Sequence, residues 1–216
     1  MTRIWLVRHG QASFGADDYD QLSEVGHAQS RQLGAWFQDR GVRFASVFHG
    51  ALRRQRETFE GIAEGYGGLL AATVEPGWDE YDADAILAAW LEAGGEAAPH
   101  GDKRAHFKIF RHALSRWQSG ELAPPETFQD FQARVARALA AAVAAEAPVL
   151  VVSSGGVIGH VISRLLEASG ESMIRMNLQS KNTGFTRIVG NEKRLWLNSF
   201  NEAPHLEDGF GTVTYA

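Results

Sequence analysis

The sequence contains no cysteine. Disulfides, thiolate metal sites and a thiol nucleophile are thereby excluded. Charge of one sign is not in excess either: 21 lysines and arginines stand against 26 aspartates and glutamates, a formal net charge of −5. That balance gives no global attraction to nucleic acid or to an anionic membrane, and neither is expected as a partner. Long apolar runs are missing too. The run after Met1 is broken at Arg8, short of a signal-peptide core, and no segment approaches a membrane span, so a cytoplasmic location is expected. The eight histidines are scattered, without HExxH, and no Walker sequence or G-x-G-x-x-G follows a strand. Neither metal nor cofactor is expected.

What is present is a chain of 216 residues, 44% apolar and 22% charged, the balance of a globular protein. Ile4, Trp5, Leu6 and Val7 form a short apolar run rich in β-formers that leads straight into Arg8, His9 and Gly10. Ser23 reads as the N-cap of a helix over 24–40. A strand over 44–48 exits at His49-Gly50, a helix begins at Ala51, and a third strand is expected over 69–74. Between 83 and 127 the alternation stops for two helices, read as an insertion over the strand ends within a single domain of residues 1–216. An alanine-rich helix covers 128–146. A second buried strand, 149–152, runs into Ser153-Ser154-Gly155-Gly156 and a helix from Val157. A hairpin over 185–189 and 194–200, turned at Gly190-Asn191, closes the fold, and the tail from Asn201 reads as irregular. The expected architecture is a three-layer α/β sandwich: a mostly parallel sheet with helices on both faces and the helical insertion over the C-terminal strand edge.

Parallel topology brings strand C-termini to one edge, where ligands bind in open α/β sheets. Arg8-His9, Arg54, Glu80 and Ser153-Ser154 all follow strand ends or turns. Imidazole can attack phosphorus, guanidinium can neutralise phosphoryl oxygens, and a glycine turn opening a helix is a natural anion site. The plainer alternatives are a strand that merely ends in polar residues, a solvated Arg54 like Arg53 and Arg56, and a turn carboxylate at Glu80.

These residues resemble the histidine phosphatase superfamily, also called phosphoglycerate mutase-like. Arg8-His9-Gly10 is similar to its signature, Leu22-Ser23 through Gly26 to Gln29 to its L-[ST]-x-x-G-x-x-Q segment, and Leu52-Arg53-Arg54 with Thr58 to its L-x-R-A-x-Q-T segment. Val149 to Val157 resembles its V-V-S-H-G-G-V strand and turn. The resemblance implies a phosphohistidine on His9, phosphoryl binding by Arg8, Arg54, Ser154 and Gly155, and acid–base work by Glu80, whose carboxyl should titrate above a free glutamate. Gln11, His49 and Asn182 are further candidates. Gln55 and Glu57 depart from the pattern, and Ser154 stands where the family carries a second histidine. Three arrangements answer that loss: Ser154 with the neighbouring amides suffices, His49 or His160 substitutes, or the pocket binds phosphate without turnover. Gly15, where mutases usually carry asparagine, and a shortened loop over 13–21 count against a mutase. The expectation is metal-independent hydrolysis of a small phosphorylated substrate. A phosphate-binding or interaction module is the alternative, and a mutase is the weaker one. The stripe Arg104, Lys108, Arg111 either selects an anionic substrate or is a solvated helix face.

Overall fold

The computed structural model describes residues 1–13, 20–207 and 212–215. Gly15, with most of the shortened loop after Gln11, lies outside the described residues. The elements in chain order are β1 (Thr2–Arg8), α1 (Glu24–Asp39), β2 (Ser46–His49), α2 (Arg53–Tyr66), β3 (Thr73–Val74), a 3₁₀ turn (Pro76–Trp78), α3 (Ala83–Glu92), α4 (Lys103–Gln118), α5 (Phe128–Ala144), β4 (Val149–Ser153), α6 (Gly155–Leu165), α7 (Gly170–Gln179), β5 (Phe185–Asn191), β6 (Arg194–Glu202) and α8 (Pro204–Glu207).

The sheet runs β3-β2-β4-β1-β5-β6. The first four strands are mutually parallel, and β5 and β6 are antiparallel. β1 is central, which explains its continuous apolar run: a strand covered on both faces needs apolar side chains at every position. Ile4 and Leu6 enter a core shared with α5, α6 and the insertion, including Trp78, Trp117 and Phe131. Val7, with Trp5 packed beside it, joins Leu33, Phe37 and Ile62 of α1 and α2 on the other face. The helices start where local chemistry supplies acceptors for their first amides. Ser23 accepts from Gly26, Asp82 from Ala85, Asp102 from Ala105 and Thr127 from Asp130.

Several boundaries move. β2 spans 46–49 instead of 44–48, because the amides of Ala45 and Ser46 both turn to the Pro148 carbonyl. β3 shrinks to two exposed residues at the sheet edge. α6 begins at Gly155, two residues early. The hairpin turns at Glu192-Lys193, with the Asn191 side chain accepting from the Lys193 and Arg194 amides. α7, which the sequence reading did not anticipate, is capped by Ser169 and buries Met173 and Ile174, and the tail contains the short α8.

Two histidines outside the strand ends are buried as neutral rings. Burial lowers His205 to about 3, with Lys181 assisting, and His160 to about 4, with Arg164 assisting, from an ordinary 6.5. Below that ordinary value the unfolded chain binds protons that the folded chain refuses, so stability present above it is lost as pH falls. Each group should withdraw about 2 kcal/mol between roughly pH 7 and pH 5. Urea denaturation across this range should show the loss, and His205→Gln should weaken the dependence.

Candidate active site

The strand order sets Arg8 beside Ser153, and the His9 amide extends the ladder by donating to the Ser153 carbonyl at 2.9 Å. His9 is 4% exposed. Its Nδ1 lies 2.8 Å from the Gly10 carbonyl oxygen. A carbonyl only accepts, so Nδ1 carries the proton and Nε2 keeps its lone pair. Burial, followed by the Arg54 and Arg8 charges, holds the imidazole well below its ordinary 6.5 against the Gly10 bond. The ring is therefore neutral at physiological pH and nucleophilic at Nε2.

The turn that carries His9 is fixed from three sides. The Gly10 amide donates to Thr58 Oγ1 of α2 at 2.9 Å. The Gln11 amide donates to Gln29 Oε1 of α1 at 3.1 Å, and Gln11 Oε1 accepts from Ser23 Oγ at 2.9 Å. From the antiparallel side, Asn182 Nδ2 reaches the His9 carbonyl at 3.2 Å, and the Thr183 amide donates to the carbonyls of Arg8 and His9. Gln29 Nε2 donates to Thr212 O and Thr214 Oγ1, and Thr214 Oγ1 in turn donates to Asn182 Oδ1. The C-terminal segment thus straps α1 to the approach of β5 behind His9.

Two guanidiniums act on the ring. Arg8 Nη1 donates to the Ser180 carbonyl. Arg54, in the first turn of α2, is 11% exposed at its side chain and pairs with Asp20, whose other carboxylate oxygen accepts from the Arg53 amide at 2.8 Å. Glu80 follows the 3₁₀ turn. Its Oε2 accepts from the Gly156 amide at 2.8 Å and its Oε1 from the Tyr81 amide at 3.2 Å. A Cβ on Gly156 would lie 2.4 Å from Glu80 Oε1, so only glycine lets the carboxylate close on the start of α6. Burial raises the Glu80 carboxyl above 4.5, against the Gly156 and Tyr81 amides and the charges of Arg54 and Arg8. Arg134 of α5 pins the turn beneath it, donating to the carbonyls of Gly77 and Asp79.

The expected residues thus divide. His9 and Glu80 both feel the charges of Arg54 and Arg8. Ser154 and Gly155 flank them at the start of α6, where the first amides have no intrahelical acceptor. Gln11 and Asn182 serve the turn's backbone. His49 binds the Gly50 carbonyl through Nδ1 and stacks on Phe59 of α2, and His160 packs edge-on against Phe128 and Phe131. Arg111 is tied to Glu171 of α7, while Arg104 and Lys108 are exposed. Among the described residues, no group of three or more His, Asp or Glu side chains is placed to hold a metal ion, and no helix is long and apolar enough to cross a membrane.

Sequence reasoning missed three contributors: Asp20, the Thr212–Thr214 strap and Gln55. Glu57 accepts from the Leu22 amide at 2.8 Å, and Gln55 Nε2 donates to the Trp78 carbonyl and Ser154 Oγ. The signal for both was their departure from the family pattern. Nothing local pointed to the strap.

The model of the histidine phosphatase superfamily (branch 1) matches residues 4–203. The chain belongs to the histidine phosphatase superfamily. It is 28% identical over 187 residues to a 2,3-bisphosphoglycerate-dependent phosphoglycerate mutase of Mesorhizobium japonicum, covering 80% of this chain and 85% of the relative. A phosphoserine phosphatase from Entamoeba histolytica, solved with 3-phosphoglyceric acid, shares the fold with a TM-score of 0.68 at 21% identity, covering 95% of this chain and 100% of that one. The alpha-ribazole phosphatase of Shigella flexneri does so with a TM-score of 0.63 at 22% identity, covering 93% and 96%.

In this member of the superfamily Gln29 is the hub of the strap. Gln29→Ala removes an acceptor from the Gln11 amide and donors from Thr212 and Thr214, and should cost about 1–3 kcal/mol. Urea denaturation checks it.

Proposed function

We propose that the protein hydrolyses phosphomonoesters through a phosphohistidine on Nε2 of His9. The observation that carries this reading is the pairing of a buried, neutral imidazole, proton fixed on Nδ1, with a carboxyl whose affinity for protons is raised. Nε2 attacks phosphorus, the ester P–O bond breaks, and the departing oxygen takes the proton of Glu80. Arg8 and Arg54 offset charge on the non-bridging oxygens. In the second half the Glu80 carboxylate takes a proton from water, the oxygen attacks phosphorus, the P–N bond breaks, and inorganic phosphate leaves. No metal ion is needed, because two guanidiniums and the α6 amides supply the positive field.

The substrate class we infer is a small phosphorylated metabolite. The 3-phosphoglyceric acid complex of the amoebal phosphatase and the ribazole phosphatase activity of the bacterial neighbour support that class. A mutase reading draws on the name of the Mesorhizobium relative. Supplying 3-phosphoglycerate with a bisphosphorylated primer separates the two: a hydrolase releases inorganic phosphate, a mutase returns isomerised ester.

The active form has His9 neutral and Glu80 protonated. kcat/KM should rise as pH passes the lowered pKa of His9 and fall as it passes the raised pKa of Glu80, giving a bell-shaped profile bounded by the two groups. Glu80→Gln should lose about 10²–10⁴-fold in hydrolysis and flatten the alkaline limb. His9→Ala should abolish both turnover and the acid-labile phosphoryl label, measured with chelator present on a broad ester panel. Equal residual activity in wild type and His9→Ala would overturn the reading.

A further inference from the structure

The serine at the start of α6 is not an isolated exchange. Gln55 and Ser154 are both fully buried, at 0% exposure, and they touch. Gln55 Nε2 stands 3.0 Å from the Trp78 carbonyl and 2.9 Å from Ser154 Oγ. The Trp78 carbonyl can only accept, so the atom between the two oxygens is the amide nitrogen. Ser154 Oγ is therefore the acceptor in its bond to Gln55, and its hydrogen points elsewhere. Ser154 makes no side-chain cap to its own helix, and among the described residues no acceptor meets that hydrogen.

Gln55 is held for this purpose at some expense. A Cβ on Gly50 would lie 1.9 Å from Gln55 Oε1, so the amide sits directly against the Gly50 backbone, and buried Oε1 has no hydrogen-bond partner. The nitrogen end alone is satisfied. The two positions also exchange bulk: a long side chain on α2 and a short one after β4, where the family pattern has alanine and histidine. Ser154 follows Ser153, whose carbonyl binds the His9 amide, and precedes Gly156, whose amide binds Glu80. Backbone on either side of it thus reaches the His9 amide and the Glu80 carboxylate.

We propose that Gln55 and Ser154 form one donor unit: the Gln55 amide fills the acceptor side of the Ser154 hydroxyl and leaves its hydrogen for the phosphoryl group on His9. The inference rests on the phosphohistidine reading above. Gln55 is a positioning residue, acting through Ser154. The unit also makes a replacement histidine unnecessary, in keeping with the packing roles of His49 and His160.

The test compares wild type with Ser154→Ala, Ser154→Thr, Gln55→Met and the Gln55→Met/Ser154→Ala double variant in rapid-quench measurement of phosphohistidine formation, with thermal melting in parallel. Ser154→Ala should slow phosphorylation by about 10²-fold and Ser154→Thr should retain most of the rate. Gln55→Met, similar in volume but without the donor, should lose about tenfold in kcat with KM little changed. The double variant should be no slower than Ser154→Ala alone, since Gln55 has nothing left to orient. Gln55→Glu provides the second arm if Gln55→Met melts low. Its carboxyl accepts the Ser154 hydrogen and turns it from the substrate, so its loss should match that of Ser154→Ala. Additive losses, or wild-type phosphorylation in Gln55→Met or Gln55→Glu, overturn the inference and leave the phosphohistidine reading standing. No phosphohistidine in wild type overturns that reading and the inference together.

Discussion

The bond from His9 Nδ1 to the carbonyl of Gly10 is the constraint on which the site depends. It spans a single residue, so it costs little chain entropy, yet it decides which nitrogen keeps its lone pair and where that nitrogen points. It holds only while the Gly10 peptide keeps its orientation. The amide of that peptide, the Gln11 N–H, is fixed by Gln29, and the preceding one, the Gly10 N–H, by Thr58. Everything that packs α1 and α2 onto the sheet thus converges on one imidazole tautomer. The C-terminal strap extends the same constraint to the far side through Asn182 and Thr183.

Around that ring one environment pushes the titrations of His9 and Glu80 in opposite directions. Burial disfavours imidazolium at His9 and carboxylate at Glu80 alike. The guanidiniums reinforce the first effect and oppose the second. Glu80 therefore sits in a balance between burial and the positive field of Arg8, Arg54 and the α6 amides. In the proposed reaction, a phosphoryl group beside the two guanidiniums partly neutralises that field and favours the protonated acid for the first step.

Much of this was legible in the chain. β1 and β4 announced themselves by apolar runs that end in polar residues, because central parallel strands must be apolar on both faces and become polar where they leave the sheet. Arg8 and His9 became candidates for the same reason, and Arg54 and Glu80 through the family resemblance. α7 was not, since Gly170 and Glu171 open a helix whose apolar face, Met173 and Ile174, is too short to show a clear period. Asp20 could not be assigned to Arg54 because 34 residues separate them, and the Thr212–Thr214 strap had no local pattern at all.

By itself the sequence determined most of the order of strands and helices and the exclusion of thiol chemistry, and it nominated four groups for a phosphoryl site. Those follow from short-range periodicity and residue type. The tertiary structure alone decided the proton position on His9, the groups that oppose burial at Glu80 and the partner of Ser154. Each of these depends on what an atom meets across the fold. Gln55 and Ser154 lie 99 positions apart and become one feature only when α2 and the exit of β4 pack together. Their separate departures from the family pattern then read as a single exchange, because buried space and buried hydrogen bonds must be balanced locally in three dimensions.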